Sequence, residues 1–342
     1  MLGNKRAPAK SAVGIGMGLA ERAHHSNKGD SVLDDATDGL RGATGFMGVP
    51  WVSKPGDARA FVLGIPFDCG LHPSRVGARQ GPAHIRAQSS LIRRYHPEFD
   101  DLDPCTALGL VDCGDIDLVP SHIEESFAKI ETVLARLIQD GAMAYTLGGD
   151  GAVTLPQLRS VASRHPDLVV VHFDAHTDTT PPPAPGVHNT GTQFHYAAEE
   201  GLIDTTASFH IGMRGTLPFS STFTHPEKLG YRVISQDSLL TRGFRDVMNE
   251  VHAIVQTRPV YLCWDMDILD PSCAPGVAAP SWGGLSAREA ITLVRMLAGL
   301  NLVHVDINTV SPPHDVMGMT GSLAAALLYE FLILNSYGFQ GS

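Results

Sequence analysis

The stretch "LVVVHFDAHTD", residues 168–178, joins an unbroken apolar run to a group of polar side chains. Near-continuous apolar runs are typical of strands that are buried on both faces of a parallel sheet. Seven more short apolar runs of this kind lie between residues 60 and 308, and helical stretches separate several of them. The alternation of strands and helices predicts right-handed crossovers and a doubly wound α/β fold with eight buried strands.

Three of the helical stretches have recognisable starts or compositions. Ser121 and Ser286 each precede an amphipathic stretch and have a glutamate three residues later, which is the pattern of a capping box. The stretch "TGSLAAALLYEFLIL", residues 320–334, is apolar on all sides and predicts a buried final helix.

The composition of the 342-residue chain limits its organisation and its partners. Residues 1–45 are rich in Gly, Ala, Lys, Arg and Asp and predict a flexible arm, whereas residues 46–342 predict a single domain. A formal net charge of −11 argues against nucleic acid and an anionic membrane as partners. Five cysteines without a CxxC pair predict a reduced, cytoplasmic protein.

Polar clusters follow the apolar runs at the edge where a doubly wound sheet binds its ligands. One cluster supplies Asp174, His176 and Asp178, and a second supplies Asp265 and Asp267. Residues i and i+2 of a strand share a face, so Asp174 and His176 are expected to point the same way, as are the two members of the second cluster, whereas Asp178 follows at the turn. Carboxylates with an imidazole suit Mn²⁺, Ni²⁺, Zn²⁺ or Fe²⁺. We predict that these five side chains bind divalent ions, which lower the pKa of a bridging water.

Three longer stretches carry a family resemblance. "DAHTD", residues 174–178, and "WDMDILDPSCAPGVAAPSWGGLSAREA", residues 264–290, resemble the second and third signatures of the ureohydrolase superfamily, the arginases and agmatinases. "FVLGIPFDCGLHPSRVGARQGPAHIR", residues 61–86, is similar to the agmatinase N-terminal segment. The resemblance implies an arginase-like three-layer fold with a central eight-stranded parallel sheet and a trimeric or hexameric assembly. It also implies hydrolysis of a guanidinium C–N bond, which releases an amine and usually urea.

The same resemblance implies a role for each candidate ligand. Asp174 and Asp265 match carboxylates that bridge two divalent ions, nickel or manganese. Asp178 matches a further ligand of the first ion. His176 and Asp267 match ligands of the second ion.

The chain departs from the superfamily pattern in two of the expected histidines. The first signature, normally GGDHS, reads "GGDGA" here, so Gly151 replaces a ligand of the first ion and predicts an impaired first site. Thr190 aligns with a histidine that transfers protons, and a threonine hydroxyl does not titrate near neutrality. His188 is either a substitute catalytic residue or an ordinary polar residue of the loop.

A third departure concerns the substrate. In "DINTVSPPHD", residues 306–315, Thr309 stands where the superfamily has a glutamate that holds the guanidinium group. A hydroxyl lacks the charge-assisted, bidentate contact of a carboxylate. The candidate substrate-binding residues are therefore Thr190, Asn308 and Thr309.

Two hypotheses of function stay open. In the first, the chain is an active binuclear-metal amidinohydrolase, assembled as a homo-hexamer, for guanidine, a guanidino acid or a biguanide such as metformin. In the second, it is a catalytically degenerate subunit that supports an active paralogue in a hetero-oligomer. The metformin hydrolases, which resemble ureohydrolases and pair two unlike subunits, are a precedent for the second. A structural protein without metal would leave five candidate ligands unexplained.

Overall fold

The computed structural model describes residues 40–41, 45–69, 74–119, 121–216 and 223–338. Almost all of the predicted arm, residues 1–45, lies outside this part of the chain. The arm and its boundary with the domain therefore stay predictions.

Each of the eight predicted apolar runs forms a strand, and these eight strands run parallel in one sheet. A two-residue strand, β1, pairs antiparallel with β3 at the edge of the sheet, and the sequence pattern did not predict it. The order across the sheet is β1-β3-β2-β4-β9-β8-β5-β6-β7. The strand bounds are β1 Leu40–Arg41, β2 Ala60–Gly64, β3 Val111–Ile116, β4 Met143–Leu147, β5 Val169–Phe173, β6 Phe209–Met213, β7 Arg232–Ser235, β8 Pro259–Asp265 and β9 Asn301–Asn308.

Helices cover both faces of the sheet, which confirms the predicted three-layer α/β fold. Alternate residues of β5 belong to different buried clusters. Val169 and Val171 share one cluster with Leu293 and Phe331, and Val170 shares the other with Phe127 and Leu158. Period-2 alternation of this kind is expected for a strand buried on both faces. The helices are α1 Gly81–Ser89, α2 Pro104–Leu108, α3 Ile123–Leu137, α4 Thr154–Ala162, α5 Gln193–Glu199, α6 Thr224–Lys228, α7 Gln236–Arg242, α8 Phe244–Val255, α9 Ala287–Arg295 and α10 Met319–Gly338.

Of the two predicted capping boxes, one forms. Ser286 caps α9, and the side chain of Glu289 accepts a hydrogen bond from the Ser286 backbone N–H at 2.8 Å. The box predicted at Ser121 is wrong, because α3 begins two residues later and His122 occupies its N-cap without a side-chain hydrogen bond. Ser121 lies in the turn before this helix, so its hydroxyl is outside the first helical turn.

The final helix is long and apolar. An 18-residue window of α10, Met319–Ser336, has a mean hydropathy of 1.3 and by length and composition could cross a membrane. Inside the protein, 67% of that window is buried against the sheet and neighbouring helices. The helix therefore has the packing of the predicted buried core helix.

The strand order reverses direction in the middle of the sheet. Strands β4 and β5 follow one another along the chain, but β9 and β8 lie between them in the sheet. Ligands of open α/β sheets bind in the crevice beyond the carboxyl ends of the strands at such a switch point. The four central strands lead directly into the polar clusters.

Candidate metal centre

The five predicted ligands line one small cavity at the carboxyl edge of β4, β9, β8 and β5. The cavity has a volume of about 40 Å³. Its walls also contain all three positions at which the sequence departs from the superfamily pattern. The described residues that line it are Gly151, Asp174, His176, Asp178, Thr190, Asp265, Asp267, Ala278, Ala279 and Thr309.

Asp174 lies directly beyond the end of β5, where hydrogen bonds engage both of its carboxylate oxygens. Its Oδ1 accepts the backbone N–H of His176 at 2.6 Å, and its Oδ2 lies 3.0 Å from Nε2 of His172. The Nδ1 atom of His172 is in turn 2.8 Å from Nδ1 of His210, and both imidazoles are buried. The linked imidazoles of His172 and His210 therefore fix the orientation of the Asp174 carboxylate.

Asp265 and Asp267 converge through a turn, so the predicted alternation within one strand is wrong. Strand β8 ends at Asp265, and Asp267 belongs to a short 3-10 turn. Asp265 Oδ1 accepts the backbone N–H of Asp267 at 2.7 Å, and Asp267 Oδ1 accepts the backbone N–H of Ala175 at 3.0 Å. An aspartate at a strand end can bond a backbone N–H two residues on, and that local bond replaces the strand ladder.

The cluster is electrostatically crowded. Burial and the charge of Asp267 raise the pKa of Asp174 to about 8. Burial and the neighbouring carboxylates also raise the pKa values of Asp178 and Asp265 well above their ordinary range. Burial alone would raise the pKa of Asp267, but the charge and hydrogen bond of His176 hold it at about 2. One carboxylate therefore has a cationic partner, and three compete for protons or for an added cation.

Two groups of side chains in the described part of the chain bring three ligand atoms within 4.8 Å of one another. The first is Asp174, His176 and Asp267, in which His176 Nδ1 lies 3.1 Å from Asp267 Oδ2. The second is His172, Asp174 and Asp178, but both ring nitrogens of His172 are already engaged. The first group has the carboxylate and imidazole donors that suit a divalent transition metal.

Thr309 adopts a backbone conformation that a β-branched residue rarely takes. Its φ is +67°, in the left-handed region, and its backbone N–H donates to the carbonyl of Gly149 at 2.7 Å. Its hydroxyl donates to Oδ1 of Asp265. Strained residues of this kind persist where the surrounding structure determines them, often at functional sites. Thr309 therefore positions a candidate ligand carboxylate.

Two of the sequence-predicted residues lie outside the cavity lining. The ring of His188 packs against Phe127 and Tyr196, with centroid distances of 5.1 and 4.6 Å, and burial lowers its pKa. The amide nitrogen of Asn308 points into the sheet, 3.3 Å from the hydroxyl of Thr154. The structure thus places neither residue against the candidate metal ligands.

Other residues of the centre were missed. Ala278 and Ala279 line the cavity, and Arg75 donates to the Ala278 and Val277 carbonyls at 3.2 and 2.7 Å. These alanines stand in the third-signature stretch, so the signal was present. Gln193, whose amide donates to the carboxylate of Asp178, carries no pattern that reveals its contact.

Comparison with known proteins assigns the chain to a family. The family model described as the arginase family matches residues 58–334, which is more than half of the sequence. The chain is a member of the arginase family. It therefore belongs with hydrolases that act on guanidino and amidino carbon–nitrogen bonds.

Individual relatives share the whole domain with this arginase-family chain. It is 36% identical over 292 residues to the guanidinopropionase of Pseudomonas aeruginosa, covering 84% of this chain and 90% of the relative. It is 33% identical over 291 residues to the mitochondrial guanidino acid hydrolase of Homo sapiens, covering 85% and 82%. The solved structure of proclavaminate amidinohydrolase from Streptomyces clavuligerus superposes with a TM-score of 0.82 at 34% identity, covering 87% and 98%. The arginase-like sheet is therefore confirmed.

Proposed function

We propose that the chain is a subunit of a metal-dependent amidinohydrolase that hydrolyses a guanidinium C–N bond and releases urea and an amine. The observation that carries the proposal is the convergence of Asp174, His176, Asp178, Asp265 and Asp267 on one cavity. Membership of the arginase family supports the reaction class. A cytoplasmic location remains part of the proposal.

The proposed cofactor is a divalent cation, manganese or nickel. Asp174, His176 and Asp267 would hold it, because their ligand atoms already lie within 4.8 Å of one another. When bound, the cation neutralises the acidic cluster and activates water for attack on the guanidinium carbon. Thr309 fixes Asp265 at the edge of this group through its hydroxyl.

The size and charge of the cavity favour a small substrate without an acidic tail. A single water needs roughly 10–15 Å³ of such volume, so a cavity of about 40 Å³ accommodates a group the size of a guanidinium head. None of the described lining residues is a lysine or arginine, so a substrate carboxylate would meet no cation there. Guanidine therefore fits this lining better than a guanidino acid, the substrate class in the names of two relatives.

A specific observation favours the alternative that the chain is a catalytically degenerate subunit. Gly151, Thr190 and Thr309 all line the cavity, and none of them offers an imidazole or carboxylate. The one imidazole among the described lining residues, His176, is paired with Asp267. Proton transfer to the leaving amine would then depend on a group supplied by an active paralogue in a hetero-oligomer.

Urea release tests the proposal. The full chain, loaded with Mn²⁺ or Ni²⁺, is assayed with guanidine, metformin, 3-guanidinopropionate and agmatine, alone and co-expressed with an intact ureohydrolase paralogue. We expect urea from guanidine or metformin in at least one of these preparations. No urea from any substrate in either preparation would refute the proposed function.

A paired substitution separates the two candidate functions. Asp265→Asn removes a candidate ligand, whereas Asp270→Asn changes an aspartate of the same segment that does not line the cavity. If this chain catalyses, Asp265→Asn abolishes urea release and Asp270→Asn preserves it. If the mixed assembly keeps its activity with Asp265→Asn, the paralogue catalyses and this chain is the supporting subunit.

A further inference from the structure

We propose that Gln193 fills the place of the missing first-site ligand and limits the cavity to a single divalent ion. The inference rests on the proposed metal dependence of the centre. It assigns a role to a residue that lies outside the predicted ligand set and 42 positions away from Gly151 along the chain.

The geometry around Gly151 shows that its vacant side-chain position is occupied. A Cβ atom added there would lie 2.7 Å from Nε2 of Gln193 and 3.3 Å from Oδ2 of Asp178. The amide of Gln193 donates to that same Asp178 oxygen. The residue has a relative exposure of 2%, so its amide is buried beside the cavity, next to Asp178. A neutral amide therefore stands where a ligand side chain on residue 151 would begin.

The orientation of this amide opposes a cation at Asp178. An amide NH₂ group is a pure donor, and its partial positive charge faces the carboxylate where an ion would bind. The other amide atom, Oε1, is buried and has no hydrogen-bond partner among the described residues. Exchanging the two amide atoms would direct Oε1 at a carboxylate oxygen, which is unfavourable unless a proton or cation lies between them. In the structure the amide donates to Asp178, which is the blocking orientation.

The opposite side of the cavity has no comparable obstruction. Asp174 Oδ1, His176 Nδ1 and Asp267 Oδ2 form a compact group, with the two contacts from His176 at 3.2 and 3.1 Å. An ion bound there would replace the imidazole proton of His176 and the contacts among these three side chains. The two potential sites therefore differ in what a cation must remove before it binds.

Metal stoichiometry and the electron paramagnetic resonance spectrum of bound Mn²⁺ test this assignment. The full chain, saturated with Mn²⁺ and freed of excess ion, should retain about one ion per chain, because one complete carboxylate–imidazole set remains. Its spectrum should be the six-line signal of an isolated ion. Two ions with a spin-coupled spectrum, or no retained ion in a folded chain, would overturn the inference.

Substitutions test whether Gln193 is the residue that limits the number of bound ions. Gly151→His combined with Gln193→Ala supplies an imidazole and removes the amide, so a second ion and a coupled spectrum are expected. Gln193→Glu keeps the shape but sets a carboxylate beside Asp178, and it should also gain a second ion. Gln236→Ala, a buried glutamine that does not line the cavity, is the matched control and should leave the stoichiometry unchanged. Folded variants of both kinds that still bind one ion would show that Gln193 does not limit the site.

The outcomes also separate this inference from the proposed function. Two ions in the wild-type chain together with urea release would refute the single-ion assignment and leave the amidinohydrolase proposal standing. One retained ion without urea release, from the chain alone or with the paralogue, would support the single-ion assignment and refute the amidinohydrolase proposal.

Discussion

Two regions of the molecule bury acidic side chains, and they differ in the cations that accompany them. On β3, Asp112 is fully buried, and Arg86 of α1 donates to both of its oxygens, at 2.8 and 2.9 Å. Arg86 also contacts Asp115. At the carboxyl edge of the sheet, the described residues that line the cavity include four aspartates and one imidazole, that of His176.

The difference indicates what each region is built for. Burying a charge is tolerated when a partner and hydrogen bonds neutralise it within the fold. Arg86 does this for Asp112, so that pair is complete without any ligand. The cavity cluster has more carboxylates than protein cations, so neutrality requires protons or an added ion. The acidic excess at the crevice therefore supports the proposed cation site, whereas the balanced pair in the core is structural.

The largest effect should come from breaking the balanced pair. Arg86→Met leaves Asp112 as an uncompensated buried charge, and we expect a loss of about 3–5 kcal/mol in the free energy of unfolding. Chemical denaturation measures it. The double variant Arg86→Met/Asp112→Asn should recover part of the loss, because the unpaired charge is gone. Equal losses in the single and double variants would contradict the assigned role of the pair.

Supplying a cation to the acidic cluster of the cavity should raise the free energy of unfolding, which is opposite to the effect of breaking the Arg86–Asp112 pair. Mn²⁺ at 100 times its dissociation constant should raise the free energy of unfolding by about 2.7 kcal/mol, because the ion binds only the folded chain. Asp267→Asn should reduce this gain, and the control Asp270→Asn should retain it. Thermal unfolding with and without Mn²⁺ measures both. A gain that survives Asp267→Asn would place the ion elsewhere.

Placing a carboxylate at position 309 tests whether this position faces the substrate. Thr309→Glu would offer the guanidinium a charge-assisted hydrogen bond worth roughly 1.5–3 kcal/mol, which corresponds to about 10- to 160-fold in kcat/KM for guanidine. Thr309→Gln has the same length without the charge and is the control. Steady-state urea release measures both variants. Equal kcat/KM values in the two variants would show that position 309 does not face the substrate.

The pH dependence of the free energy of unfolding distinguishes the buried imidazole of His304 from the acidic cluster of the cavity. Burial lowers the pKa of His304 to about 3, so between that pH and about 6.5 the unfolded chain binds one more proton than the folded chain. The contribution of His304 to the free energy of unfolding should therefore fall by about 1.4 kcal/mol for each unit of acidification in that window. The raised pKa of Asp174 acts in the opposite direction, because its folded form gains stability as the pH falls from about 8.

Urea denaturation across this pH window, compared between the wild-type chain and His304→Gln, measures the imidazole contribution. The variant should show a shallower loss on acidification. Ser286→Ala, which removes a helix cap, is the control: it should lose about 1 kcal/mol at every pH and keep the wild-type slope. Identical slopes in wild type and His304→Gln would refute the assignment.

Much of this architecture was predictable because its causes are local. Continuous apolar runs become buried strands wherever helices cover both faces of a sheet, and all eight runs did so. The crevice rule then placed Asp174 and Asp265 at one edge before their strands were known to be neighbours. The capping interaction of Ser286 also lies within a few residues. The spacing of Asp265 and Asp267 predicts a strand, but Asp267 lies in a short turn, because an i, i+2 pair has the same sequence spacing in both structures.

The sequence by itself determined the class of fold, the family and the acidic cluster at the strand ends. Only the tertiary structure decided which atoms meet: Gln193 beside Gly151, Thr309 on Asp265, and His188 against Phe127. The physical reason is that periodicity and capping act over a few residues, whereas these contacts join segments that the strand order brings together. The placement of the Gln193 amide beside Gly151 is one of these contacts between distant segments.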